Sequence, residues 1–277
     1  LIISERYGFA FVHIPKCAGT TVREQLQDLD ETEGAFAAVR EHSVLGRIDY
    51  MHLPLRVLAE HFPDTFSTLD RLDGFAVTRD PMSRFRSSVA EYLKRVKRSR
   101  LAELSAAELQ AVIRDIIRQL EDRPRVLTYE IAHFIPQNDY IRLDGRKVVE
   151  HTVALERIAD LFSEIARRTG RPIDTNAWSN QDFVLRFEGL KGAVWRANDI
   201  ARGLLPYRSY QGLKRLTRPF LVKERASPAA EQVFGAPEIV RFVEKYYADD
   251  FRQHAADLRK GAAEQATPVL RAQTADG

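Results

Sequence analysis

The 277-residue sequence holds a single cysteine, Cys17, so no disulfide can form within it, and none of its asparagines lies in an Asn-x-Ser/Thr acceptor site. Both absences point to a reducing, cytoplasmic setting. No apolar run approaches the ~20 residues of a membrane span. The first residues also lack the basic start and apolar middle of a secretory signal, so neither an anchor nor a leader is expected. The net charge is only +3, which argues against a dedicated nucleic-acid binder. Glycine and proline are sparse, and no internal repeat is visible. The 44% hydrophobic content is enough for one sizeable core. The expected organisation is a single domain over residues 1–260, carrying a basic insertion or acceptor-side segment at about 171–236, with a disordered tail at 261–277.

Within that frame, "FAFVHIPKCAGTTVREQL", Phe9 to Leu26, is the most informative stretch. A continuously apolar strand, Gly8 to His13, breaks at a Pro-Lys-Cys-Ala-Gly corner. Val22, Leu26 and Leu29 then recur at helical spacing. A strand, tight loop and helix start of this kind cradles an anion, because the first helical N–H groups are unpaired and lie at the positive end of the helix dipole.

A second buried strand, "DGFAVT" from Asp73 to Thr78, ends at Arg79 and hands over to "RDPMSRFRSSVAEYLKRVKR". There Asp80 fits an N-cap and Pro81 the first helical position, and Met82, Phe85, Val89, Leu93 and Val96 form the apolar stripe. A shorter helix is expected from Leu53 to Phe62, with His52 at its entrance. Another follows the capping box "SAAE", Ser105 to Glu108. "YIRL" and "VVEHTVAL" read as later strands, the latter feeding a helix that stops near Gly170, and Ile239, Val243, Tyr246 and Tyr247 mark a C-terminal helix. Strands alternating with helices predict an α/β fold, a three-layer sandwich with a mostly parallel central sheet, whose ligands bind beyond the carboxyl ends of the strands.

The P-loop pattern places its lysine after the last glycine, whereas Lys16 precedes Gly19 by three residues. "HIPKCAGTT" instead resembles the 5'-phosphosulfate loop of sulfotransferases that use 3'-phosphoadenosine 5'-phosphosulfate (PAPS), in particular the carbohydrate-type branch with bacterial members. "RDPMSRFRSSVAEYL" resembles that family's 3'-phosphate element, in which an arginine is followed eight positions later by a helical serine, here Arg79 and Ser87. Weaker likeness runs through His52, "FIPQNDYI", "LERIADLF" and "YYADDF". The resemblance implies a P-loop-like nucleotide-binding fold and PAPS as donor, with adenosine 3',5'-bisphosphate as product. It further implies a 5' site made by Lys16, Cys17, Ala18, Gly19, Thr20 and Thr21, and a 3'-phosphate clamp made by Arg79 and Ser87. Lys16 would stabilise charge on the leaving phosphate.

An acceptor hydroxyl needs a base, and histidine suits neutral pH. His52 matches the position of a histidine in the related carbohydrate sulfotransferases and is the preferred catalytic base, with His42 and Glu41 as alternatives. No metal is expected, since no ligand cluster with metal spacing is visible. Cys17 is expected to contribute only its backbone, His13 to fill space, and Arg84 to tie a helix start to neighbouring carboxylates. His61, His133, His151 and His254 receive structural roles. From Ala177 to Ala226 ten Lys/Arg stand against four Asp/Glu, a net of +6 that leaves −3 for the rest of the chain. With Trp178, Trp195, Tyr207 and Tyr210 interleaved, this stretch suits an acceptor such as a sugar or glycoconjugate, and equally a membrane surface. A P-loop-like ATP-dependent kinase and a catalytically silent nucleotide-binding module are the competing functional readings. A small metabolite, a lipid or a peptide tyrosine is the competing acceptor.

Overall fold

Two apolar segments with no polar alternation can be satisfied only in a sheet covered on both faces. In the computed structural model, which describes residues 1–122, 128–174, 184–185, 222–223 and 228–272, they lie side by side. Strand β2 (Phe9–Phe11) pairs in parallel with β5 (Asp73–Thr78), Phe11 opposite Phe75, and β5 pairs in parallel with β8 (His151–Ala154). An additional edge strand, β1 (Ile2–Ser4), runs antiparallel to β2 and gives a four-stranded, mostly parallel sheet in the order β1-β2-β5-β8. The protein is thus a mixed α/β fold, as expected. A small hairpin of β3 (Val39–His42) and β4 (Gly46–Asp49) precedes α2 (Leu55–His61) and α3 (Pro63–Arg71). A second hairpin pairs β6 (Arg142–Leu143) with β7 (Arg146–Lys147). The "YIRL" strand is therefore only a two-residue hairpin arm, with Tyr140 in the preceding 3-10 turn.

The helix signals hold. Asp80 caps α4 (Pro81–Tyr92) by accepting from the Ser83 N–H at 2.8 Å, and Pro81 takes the first turn. At α5 (Ala106–Asp122), the Ser105 Oγ accepts from the Glu108 N–H and the Glu108 carboxylate accepts from the Ser105 N–H. Helix α6 (Ile158–Thr169) stops at Gly170, whose φ of 67° is left-handed. Helices α7 (Pro228–Phe234), α8 (Pro237–Tyr246) and α9 (Ala248–Ala272) close the described chain. Helix α9 thus enters the segment 261–277 expected to be a tail. Apart from Val184–Leu185 and Val222–Lys223, which pair as two short strands, the basic 177–226 stretch lies outside the described residues.

Two apolar clusters result. One surrounds the sheet and includes Phe9, Phe11, Val22, Phe75 and Val77. The other joins α4, α5, α7 and α8 through Phe85, Val89, Ile113, Phe234 and Val243. A buried carboxylate, Asp257 on α9, accepts from the Thr78 hydroxyl at 2.8 Å and the Thr152 hydroxyl at 2.6 Å, fixing the helix to the last residue of β5 and to β8. Among the described residues no helix is long and apolar enough to cross a membrane.

Candidate active site

Because β2 and β5 are adjacent and parallel, their carboxyl ends open on the same side, and the chain leaving each supplies one wall of a site. From β2 the loop turns sharply: Lys16 (φ 65°) and Ala18 (φ 58°) both adopt the left-handed region that side chains disfavour. Ala18 is the N-cap of α1 (Gly19–Leu26), and neither a capping side chain nor an acidic first-turn residue covers that helix start. Gly19 is obligatory for packing reasons. A Cβ there would lie 1.7 Å from Cδ2 of the His13 ring, so the imidazole rests directly on the glycine backbone.

From β5, Arg79 reaches back to the same loop. Its Nη1 donates to the Lys16 carbonyl at 3.1 Å, while its backbone is held on both sides by Gln137: the Arg79 N–H donates to Oε1 and Nε2 donates to the Arg79 carbonyl, each at 2.9 Å. Gln137 is pinned in turn by Asp250 through its N–H at 2.7 Å. The Lys16 ammonium lies 3.2 Å from the Glu91 carboxylate on α4. Ser87 sits half-buried on the same helix, Thr20 is exposed and Thr21 buried. Cys17 is buried, its thiol donating toward the Gln137 Oε1 at 3.2 Å, and burial pushes it up to about 12, leaving the backbone as its contribution to the loop.

Arg84 is structural, as expected, but its partners are carbonyls and not carboxylates. Fully enclosed, it donates from Nε to the Pro15 carbonyl at 3.1 Å and from Nη2 to those of His133 and Ile135. This single side chain ties α4 to the loop that follows β2 and to the 133–135 turn.

Above the loop, His13, His52 and His133 form a buried run, with ring centroids 4.3 Å apart for the first pair and 5.1 Å for the second. The His52 Nδ1 lies 3.2 Å from the His13 carbonyl, which can only accept, so Nδ1 carries the proton and Nε2 is the basic nitrogen. Burial pushes His52 down to about 4 against the opposing pull of the Asp49 carboxylate, whose Oδ2 is 4.0 Å from Nε2. Burial also holds His13 and His133 well below the usual range. All three are neutral at pH 7.

His133, assigned a purely structural role from sequence, therefore lies in the site. Asp49, His52 and His133 bring three potential ligand atoms within 4.8 Å, a grouping invisible in the linear spacing. The Arg95 guanidinium already fills it, donating to His133 Nε2 at 2.8 Å and lying 3.9 Å from Asp49 Oδ2, so a second cation does not suit this position. Arg95 in turn stacks on Tyr129 at 4.0 Å. Of the alternative bases, His42 is engaged elsewhere, its Nδ1 accepting from the Val44 and Leu45 N–H groups and its ring packing on Tyr50, His61 and Phe62, and Glu41 is exposed on β3. A groove of about 670 Å³ lined by Pro54, Arg56, Asn138, Asp139, Arg142 and Arg252 contains none of the residues expected to act.

Sequence reasoning missed Glu91, Asp49, Arg95, Gln137 and His133 as members of the site. Only Glu91 carried a local signal, its position one helical turn beyond Ser87.

No curated protein and no solved structure gives a significant match to the chain. A family model described as "Sulfotransferase family" matches residues 1–254. That span takes in the Lys16 loop, the Arg79–Ser87 element and the histidine run, and the chain belongs to the sulfotransferase family.

Proposed function

We propose that the protein is a PAPS-dependent sulfotransferase with a single P-loop-like domain, transferring a sulfuryl group to a hydroxyl of a carbohydrate or glycoconjugate acceptor. The observation that carries this reading is the meeting of two cation-bearing strand ends, with Arg79 bonded to the backbone of the loop that holds Lys16. A donor with phosphate groups at both ends of its ribose needs two separate anion sites this close together.

The uncapped start of α1, with Lys16 to Thr21, fits the 5' phosphosulfate. Arg79 and Ser87 fit the 3'-phosphate, the guanidinium fork matching a tetrahedral oxyanion. The donor supplies an activated sulfuryl group with a phosphate leaving group. Lys16 neutralises the charge that develops on the bridging oxygen as the old S–O bond breaks and that electron pair stays with the bisphosphate. Loss of such a stabiliser costs about 10²–10³ in rate. His52 Nε2 takes the acceptor's proton as the new S–O bond forms, its tautomer fixed by the His13 carbonyl. The Asp49 carboxylate then offsets the positive charge on the ring. The chemistry is positioning and electrostatics, and asks for no metal.

Thermal unfolding in the presence of adenosine 3',5'-bisphosphate tests the donor, with ATP and magnesium in parallel. The bisphosphate at a hundred times its dissociation constant should add about 2.7 kcal/mol, an effect lost in Arg79→Ala. In His52→Ala that stabilisation should persist while sulfuryl transfer disappears. Stabilisation by ATP alone would instead favour a kinase, and bisphosphate binding without transfer to any acceptor would favour a binding module.

A further inference from the structure

Lys16 is gripped at both ends by the β5–α4 element. Arg79, at the end of β5, takes its carbonyl, and Glu91, three turns into α4, takes its ammonium at 3.2 Å. Both members of the ion pair are sheltered, each side chain being 23% exposed. The orientation is set by packing. Phe85, Val89 and Tyr92 bury the opposite stripe of α4, which turns Ser87 and Glu91, spaced at i and i+4, toward the loop. Burial raises the Glu91 carboxyl, but the charges of Lys16, Lys94 and Arg95 outweigh it and hold it below the usual carboxylate range, so Glu91 is a carboxylate at neutral pH. A carboxylate is an unexpected neighbour for a lysine meant to receive an anion. It demands the same ammonium that a phosphosulfate would.

We propose that Glu91 is a positioning residue for Lys16 that holds the amine against α4 until the donor arrives and then yields it, so that the Glu91 carboxylate competes directly with the donor's 5' anion. The inference rests on the donor reading above. Glu91 thereby sets donor affinity below what the loop and Arg79 alone provide, and it fixes where the lysine waits. It touches neither donor nor acceptor, and acts through Lys16 alone.

The experiment is a double-mutant cycle read by calorimetric titration with adenosine 3',5'-bisphosphate, on the wild type, Glu91→Gln, Lys16→Met and the double variant. Glu91→Gln should bind the bisphosphate about three- to tenfold tighter, the scale of a partly sheltered ion pair released from competition. In the Lys16→Met background the same change should have no effect. Under turnover, Glu91→Gln should lower the donor KM more than it alters kcat. Unchanged or weaker binding in Glu91→Gln overturns the proposal. So does an equal gain in both backgrounds, which would mark a general charge effect. Should Glu91→Gln fail to fold, Glu91→Asp decides, because withdrawing the carboxylate by one methylene should give a smaller gain and an unchanged affinity refutes the competition. If the folded wild type fails to bind the bisphosphate at all, the donor reading itself has failed, which the cycle separates from a failure confined to Glu91.

Discussion

Around β2, β5 and β8 the chain is held by interleaved apolar residues and ladder hydrogen bonds, and around α4, α5, α7 and α8 by a separate helical cluster of aromatic and aliphatic side chains. The seam between the two is polar. It consists of Arg84 spanning three carbonyls, Gln137 clasping the Arg79 backbone, and Asp250 accepting from the Gln137 and Asn138 N–H groups. Cys17, Arg79 and His133 are bonded to it directly, and Lys16 through Arg79. Apolar packing specifies distances loosely, whereas buried hydrogen bonds specify direction and are costly when unmade. The proposed donor site, which would need one ammonium and two anion cradles within ångströms, therefore draws on the polar seam at Arg79 and the Lys16 loop.

Breaking the seam should cost far more than weakening either half. Arg84→Met removes the guanidinium shared by the Pro15, His133 and Ile135 carbonyls, leaving the Ser88 hydroxyl on that of His133 and the Cys17 thiol on that of Pro15. It should destabilise the protein by about 3–5 kcal/mol in urea unfolding and weaken bisphosphate binding as the loop relaxes. A loss below about 1 kcal/mol would show that the two halves meet without it. Acidification is the next largest effect, because the histidine run lies at the seam. His52 falls from 6.5 to about 4 on folding, so the unfolded chain binds the proton first. The stability contributed by the neutral ring is intact above about 6.5, falls as the pH drops toward 4 and levels off below it. His13 and His133 act in the same sense. Unfolding at pH 5 should lie on the order of 2 kcal/mol below pH 7 on account of His52 alone, and His52→Gln should make the profile shallower by that share. The smallest effect belongs to the helical half by itself. Ser105→Ala, which removes the α5 cap, should cost about 1 kcal/mol and leave bisphosphate affinity unchanged, confirming that the far half can soften without disturbing the seam.

The parts of this architecture that were legible in the sequence are those encoded locally. "DGFAVT" is a strand over its full length, and Asp80, Pro81, Ser105 and Gly170 punctuate helices where their chemistry says they should. The loop with Lys16 and the Arg79 element likewise announced themselves, because a strand end followed by a helix start is a contiguous pattern. What escaped was assembled across the fold. His133 joins His52 through the fold, with Arg84 and Ser88 holding the His133 carbonyl against α4, and Asp49 and Arg95 meet from a hairpin and a helix end remote in sequence. Short pieces such as β1 and the β3–β4 hairpin were also missed, their strands being too brief for periodicity to register.

The contact between Gly19 and His13 carries a consequence for how this loop can vary. With a Cβ at position 19 falling inside the imidazole, no side chain can be added there while His13 stands: alanine at 19 requires a much smaller group at 13, and that smaller group would leave the His52 ring with His133 as its remaining edge-on neighbour. The two positions are therefore coupled, and substitutions that the chain tolerates here should come in pairs. A library randomising residues 13 and 19 together should recover folded combinations that single replacements at 19 cannot reach.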